Sequence, residues 1–285
     1  MFRLIALMPL ARVHALGTLV GRVARCVPGR PQRTADTNIG LCFPAWDTRD
    51  RDALAAKTLI ESAKAMVELA PLWCWSGERI LGRVVEVSGE QYLSEPMQQG
   101  RAVLLATAHL GAWELIGLYC GSRYPMTSMY RPPRQQGFEA WMCQARERTG
   151  AALVRADQSG VRAVIKALKA GELACILPDQ EPKAGEGVFA PFFGVPALTM
   201  SLFPRLAAKS GAAVVFAWVE RLPQGRGYHI RFQPVGEGIH DTDVVTSATA
   251  MNAAIEAAVS ECPAQYQWTY KRFRALPEGG VRIYR

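Results

Sequence analysis

Apolar positions change their period along this chain. From Leu10 onward Leu10, Val13, Leu16, Val20 and Val23 recur at three- and four-residue steps, which predicts an amphipathic helix near the N-terminus. A second such stripe, Leu54, Leu59, Ile60, Ala63, Met66 and Val67, predicts a helix from about Arg51 to Leu69. The stretch "PLWCWSGERI" follows, with Trp73 and Trp75 placed to anchor that helix to a core. Beyond it short apolar runs predict strands at 83–89, 102–109, 126–132, 151–156, 173–179, 212–220 and 228–235. Between and after them, amphipathic stretches predict helices at about 111–120, 137–149, 159–170, 198–209 and 245–261.

Strands that alternate with helices imply an α/β fold: a single domain with a central mixed, largely parallel sheet flanked by helices, preceded by an N-terminal amphipathic helical segment. The division is 1–35 for a membrane-associated helical segment and 36–285 for the main domain. Active residues of such sheets gather at the carboxyl ends of strands. Three polar clusters sit at predicted strand ends: His109, Tyr130 with Arg131, and Asp179 with Gln180.

Composition narrows the partners. A chain of 285 residues with 49% hydrophobic and 20% charged residues is not a disordered one. Its net charge of +8 implies a negative partner: nucleic acid, anionic lipid headgroups or an acidic carrier protein. No basic stripe interleaved with aromatics and no zinc spacing occurs, so nucleic acid is set aside. The seven cysteines (Cys26, Cys42, Cys74, Cys120, Cys143, Cys175 and Cys262) are scattered without a C-x-x-C pair, which points to reduced thiols and to neither a disulfide framework nor a metal site.

Arg3, Arg12, His14, Arg22 and Arg25 interrupt the apolar N-terminal residues, and no uncharged run approaches the roughly 20 residues that span a bilayer. A signal peptide is not visible either. Two readings remain: a first helix packed on the core, or a helix lying in the interface of an anionic membrane. Basic residues continuing through Arg30 and Arg33 favour the membrane.

The candidate chemistry starts at "AHLGAWEL" (108–115). On one continuous helix His109 and Glu114 would be about 140° out of phase, so a direct contact needs His109 before the helix and Glu114 in its first turns. Gly111 suits that corner. A carboxylate near the imidazole fixes its tautomer and stabilises the imidazolium, making the histidine a competent base toward a hydroxyl. The alternative is a structural histidine; its place at the end of "VLLATAH" favours catalysis. Neither a G-x-S-x-G elbow nor a P-loop occurs, and "GEGVFA" (185–190) lies in an apparent loop rather than between strand and helix. Cys120 as a nucleophile beside His109 is a minor alternative.

"SMYRPPR" (128–134) is either a stiff loop with a solvated charge or an arginine, Arg131, held near an anionic group or a developing oxyanion. In "LPDQEPKAGEGVFAPFFG" (177–194), Phe189, Phe192 and Phe193 either cap the core or line an apolar channel suited to an acyl chain.

Taken in order, "NIGLCFP" (38–44), "AHLGAWEL", "YRPP" (130–133), "GVRAVIKALKAGELACILPDQ" (160–180), "PFFG" (191–194) and "CPAQYQWTYKRFR" (262–274) resemble the bacterial lipid A biosynthesis acyltransferases, within the wider glycerolipid acyltransferase group that carries an H-x4-D/E motif. The resemblance implies that His109 is the general base with Glu114 as its partner, and that Arg131, Asp179, Gln180 and Phe193 serve substrate binding or support the pair. It implies an acyl thioester donor, acyl carrier protein above all, an acceptor hydroxyl on a lipid A precursor or another lipid, and no metal or cofactor. It further implies a peripheral or monotopic place on the cytoplasmic face of the inner membrane. Ala112 departs from the family, many of whose members have asparagine there. Acylation of another lysolipid, or a non-catalytic lipid-binding protein of the same fold, are the alternatives.

Overall fold

The computed structural model describes residues 2–27, 29–133 and 136–284. A single turn, α1 (Phe2–Ile5), leads through Pro9 into α2 (Leu10–Cys26), and α3 (Arg30–Cys42) precedes the long α4 (Thr48–Cys74). Asp47 starts α4 by accepting the Asp50 N–H at 2.7 Å, satisfying a backbone donor that the helix cannot. The short α5 (Gly77–Leu81) then brings the chain to the sheet.

Alternation follows: β1 (Val84–Ser88), α6 (Gln91–Gln98), β2 (Val103–Gly111), α7 (Glu114–Gly121), β3 (Met126–Tyr130), α8 (Gln136–Glu147), β4 (Ala152–Arg155), α9 (Gln158–Lys169) and β5 (Leu173–Ile176). A hairpin, β6 (Gly187–Phe192) and β7 (Val195–Met200), interrupts it. The chain closes with α10 (Leu202–Ser210), β8 (Ala213–Arg221), β9 (Tyr228–Pro234), α11 (Val244–Glu261) and a C-terminal segment.

Seven strands form one sheet in the order β1-β9-β8-β2-β5-β3-β4, parallel throughout except for the antiparallel pair β8–β9. This is the mixed, largely parallel α/β sheet that the periodicity predicts. β2 lies at its centre, and of its nine residues only His109 escapes full burial. Helices cover both faces, so the central strands are continuous apolar runs. Strand alternation sends Leu104, Ala106, Ala108 and Leu110 to the face packed by Phe203, Met251 and Ile255, and Val103 and Leu105 to the face packed by Leu115 and Ile116 of α7. His109 has the parity of the second set.

Several boundaries differ from the sequence expectation for identifiable reasons. β3 and β5 end at Tyr130 and Ile176, short of the predicted 132 and 179, because Pro132, Pro133 and Pro178 have no N–H for the ladder. The turn-rich stretch that held "GEGVFA" is the β6–β7 hairpin, and its helix starts at Leu202 rather than 198. Its two-residue tip, Phe193-Gly194, takes positive φ at both positions (49° and 74°), a hairpin geometry that Asn-Gly would have advertised and Phe-Gly does not. The short α1 and α5 and the helices α3 and α6 lie outside the sequence expectation; α3 buries Ala35, Ile39 and Cys42 at helical spacing, but its many polar residues leave that stripe thin.

The N-terminal stripe divides between two environments. Leu10, Val13, His14, Gly17 and Gly21 of α2 face the protein, while Leu19, Val20 and Val23 are exposed. A Cβ on Gly21 would stand 2.4 Å from Ile60 Cα, so glycine is what lets α2 lie against α4. Trp73 and Trp75 are buried as anchors, and Trp75 Nε1 donates to the Ala6 carbonyl at 2.6 Å. Beneath α2 a buried ion cluster joins three elements: Glu68 accepts from Arg221 twice and pairs with His14 Nε2 at 3.1 Å. Among the described residues no helix is long and apolar enough to cross a membrane.

Candidate active site

The carboxyl ends of β2, β5 and β3 are neighbours in the sheet, so the three polar clusters of the sequence meet. His109 is the one half-buried residue of β2 and lies near its carboxyl end. Two residues later Gly111 takes φ 60°, and a Cβ there would fall 1.8 Å from the Val219 carbonyl oxygen. Only glycine turns the chain so closely past β8, and Ala112 secures the corner by donating its N–H to that same oxygen at 2.9 Å. Glu114 then opens α7. This is the strand-to-helix corner expected from "AHLGAWEL".

The carboxylate that meets the imidazole is Asp179. Its Oδ1 lies 2.9 Å from His109 Nδ1, and its Oδ2 accepts the His109 backbone N–H at 3.0 Å. Burial pushes the Asp179 carboxyl up, but the charge of His109 and these two hydrogen bonds outweigh it and hold the group below the usual carboxylate range. An ionised Asp179 accepts a proton-bearing Nδ1, which leaves the Nε2 lone pair facing the cavity.

Glu114 is otherwise engaged. Arg146 of α8 donates Nε to Glu114 Oε2 at 2.8 Å and Nη2 to Oε1, a two-pronged pair almost shut off from water. Burial opposes the Arg146 charge, but Glu114 reverses that and raises its pKa above the ordinary value. His109 and Glu114 share no hydrogen bond or ion pair among the described residues; the motif carboxylate reaches the site through Arg146. The Trp113 ring stands between the two pairs, its centroid 4.9 Å from that of His109 and 5.4 Å from the Arg146 guanidinium carbon.

A cavity of about 170 Å³ opens over these groups, walled by His109, Trp113, Tyr130, Arg131, Arg146 and Gln180. A narrower one of about 50 Å³ shares Trp113, Tyr130 and Arg146 with it and is lined deeper by Ile116, Leu118 and Leu153. Arg131 is exposed at the mouth and donates Nη2 to the Glu181 carbonyl at 3.2 Å. Arg134, which closes the stretch "SMYRPPR", lies outside the described residues.

Phe193 goes elsewhere. It packs with Phe43 and Trp268 at centroid distances of 5.1 and 5.8 Å, and Phe192 is wholly within the core. These two phenylalanines thus cap the core rather than wall the His109 cavity. Cys120 is buried inside α7 and burial pushes its thiol far above the ordinary range, which removes it as a nucleophile. Among the described residues no cluster of His, Cys, Asp or Glu has the makings of a metal site.

Several participants were missed in the sequence. Gln267 donates its backbone N–H to the His109 carbonyl at 3.1 Å, and its side-chain Oε1 accepts from Gln180 Nε2 at 3.1 Å. Glu181 is buried, its carboxylate held by Arg274 Nε at 3.1 Å and the Ala275 N–H at 2.8 Å, while its own N–H donates to Tyr270 OH. The C-terminal signature therefore clamps the 179–181 loop. In the sequence this segment, "CPAQYQWTYKRFR", stands out by its family resemblance alone, with no role attached to Gln267 or to Arg274.

An imidazole held by a buried carboxylate beside a cavity fits several chemistries, and the relatives of the chain narrow them. The model of the bacterial lipid A biosynthesis acyltransferases matches residues 1–275. The chain belongs to that family. It is 32% identical to the lipid A biosynthesis palmitoleoyltransferase of Escherichia coli K12, over 94% of this chain and 87% of that one. It is 30% identical to the lauroyltransferase of the same organism, over 97% and 90%, and 25% identical to the myristoyltransferase, over 95% and 82%. As a member of that family the chain has acyltransferase activity.

Proposed function

We propose that this lipid A acyltransferase moves a fatty acyl chain from acyl carrier protein to a free hydroxyl of an acyl chain on a lipid A precursor, with His109 as general base. The observation that carries this reading is the His109 imidazole, tied at Nδ1 to the buried Asp179 and presenting Nε2 to a cavity. His109 Nε2 takes the hydroxyl proton as the oxygen attacks the thioester carbonyl carbon; the carbon–sulfur bond then breaks and the leaving thiolate takes that proton back. Asp179 holds the tautomer and balances the imidazolium. Glu114 serves as a positioning residue, keeping the Arg146 guanidinium charged and fixed beside Trp113, where it offsets the negative charge that develops on the thioester.

The apolar lining of the narrow cavity suits the acyl chain, and Arg131 at the mouth suits a phosphate of the acceptor or of the carrier. The exposed Leu19, Val20 and Val23 of α2, flanked by Arg12, Arg22 and Arg25, suit the interface of an anionic bilayer, here the cytoplasmic face of the inner membrane. Mass spectrometry of lipid A and phospholipids from cells with and without the gene tests the reading. Loss of one secondary acyl chain from lipid A is expected; unchanged lipid A with an altered phospholipid would assign another acceptor.

A further inference from the structure

The general-base reading leaves one polar contact of His109 without a role. Gln180 Nε2 lies 3.2 Å from His109 Nε2, the nitrogen that must take the substrate proton, and 3.1 Å from Gln267 Oε1. An amide NH2 has two hydrogens and no lone pair to offer, so both contacts are donations. One N–H is spent on Gln267. The other points at the imidazole lone pair, into the space where an acceptor hydroxyl has to stand.

That arrangement has a consequence for the reacting carbonyl. A hydroxyl bound to His109 Nε2 displaces this second N–H from the imidazole. The amide stays tethered by Gln267, whose own backbone is fixed by donation to the His109 carbonyl at 3.1 Å and by the bridge between Leu110 and Tyr266. The displaced N–H has then lost its acceptor, within one hydrogen-bond length of the attacking oxygen. The nearest new acceptor is the carbonyl oxygen of the thioester under attack. That oxygen becomes an anion in the tetrahedral intermediate and so binds the donor most strongly there, which is the condition for acceleration.

We infer that Gln180 donates the hydrogen bond to the oxyanion of this site, within the field of the Arg146 charge, and that Gln267 positions it. The acceptor oxygen forms a bond to the thioester carbon while its proton passes to His109 Nε2. The carbonyl π pair moves to oxygen, where the Gln180 N–H meets it. When the pair returns, the carbon–sulfur bond breaks and the thiolate leaves with the proton from Nε2. No other reactant is needed. Before substrate arrives the same N–H caps the imidazole lone pair, so the donor is poised and costs no rearrangement beyond one switch of acceptor.

This inference rests on His109 as the base, and the test separates the two. The full-length protein is assayed with lauroyl-, myristoyl- and palmitoleoyl-acyl carrier protein and a lipid A precursor bearing free hydroxyacyl hydroxyls. The variants are Gln180→Met, which keeps length and loses the donors, Gln180→Ala, Gln267→Ala, the Gln180→Met/Gln267→Ala pair and His109→Ala. Gln180→Met is expected to lose about a hundredfold or more in kcat, with KM for either substrate changed by less than about threefold. Gln267→Ala is expected to lose about tenfold alone and nothing further when Gln180 is already methionine, since it acts only through that amide. A rise in KM with kcat intact, or an additive double variant, overturns the assignment and makes Gln180 a simple substrate contact. Should Gln180→Ala melt early, Gln180→Met decides. An inactive His109→Ala beside an unimpaired Gln180→Met sinks this inference alone, whereas an active His109→Ala sinks the general base on which it stands.

Discussion

Glu114 and Arg146 grip one another by two hydrogen bonds inside the protein, so the carboxylate of the H-x4-E motif answers to a guanidinium 32 residues away and the imidazole answers to Asp179. A single substitution here leaves a buried charge without its partner. Glu114→Ala is therefore expected to cost about 3 kcal/mol of stability as well as activity, and Arg146→Ala a similar amount. The double variant Glu114→Ala/Arg146→Ala should recover much of the stability and none of the activity. Thermal unfolding beside turnover checks this; a double variant as unstable as the worse single one would mean the pair is not the unit described.

The imidazole and its carboxylate make a separate prediction. His109→Ala is expected to fold normally and to lose at least about a hundredfold in acyl transfer, the range of a lost general base. Asp179→Asn should fall comparably, because an amide accepts from Nδ1 less well and can favour the wrong tautomer. Near-native turnover of either variant would contradict the roles assigned.

Glu68 links acid stability to the fold of the N-terminal helix. Burial alone would raise its carboxyl, but Arg221 and His14 hold it down to about 2 against an unperturbed 4.5. A carboxyl depressed in the folded state contributes stability that is complete above its unfolded value and declines as pH falls from about 4.5 toward 2. Glu68→Gln should remove that acid-sensitive part and lower stability at neutral pH by about 3 kcal/mol, since Arg221 loses its buried counter-charge. Denaturant midpoints measured at pH 7 and at pH 3 for both proteins provide the comparison.

Membrane attachment can be tested without dismantling the core. Because Leu10, Val13 and His14 are buried, removing the whole N-terminal segment would damage the fold. Leu19→Asp and Val23→Asp, at positions 59% and 57% exposed, leave the packing face intact. Both should weaken binding to vesicles containing phosphatidylglycerol, and raised salt should weaken binding of the unaltered chain. Unchanged sedimentation of the double aspartate variant would place the contact elsewhere on the surface.

Arg131 precedes two prolines, which restrict its backbone, and holds the Glu181 carbonyl. Lysine keeps the charge but cannot hold a backbone oxygen and a phosphate with one planar fork. Arg131→Lys is expected to raise KM for the acceptor by about tenfold, nearly as much as Arg131→Ala, with vesicle binding unchanged. Full rescue by lysine would reduce the residue to a long-range attraction.

The sheet was legible in the sequence because its signals are local. A buried parallel strand writes itself as an unbroken apolar run, and "VLLATAH" ending in its histidine marks both the centre of the sheet and the imidazole that meets Asp179. The corner after it is equally local, since only Gly111 can take the backbone past Val219. Proline endings, the Phe193-Gly194 hairpin and the polar helix α3 were hidden, because each depends on the neighbours that pack against it more than on its own period. The partner of His109 was hidden for a deeper reason. Nearness across the strand-to-helix corner offered Glu114, five residues on, whereas the carboxylate that reaches the imidazole comes from 70 residues away, and the amide over its other nitrogen is tied to Gln267 another 87 residues on. Which side chains share a site at parallel strand ends follows from strand order, and strand order is set by how two faces of a sheet are covered at once. Residue types and their local periods decided that this chain would be a sheet with a histidine near the carboxyl end of its central strand; only the tertiary packing decided which acid that histidine would own.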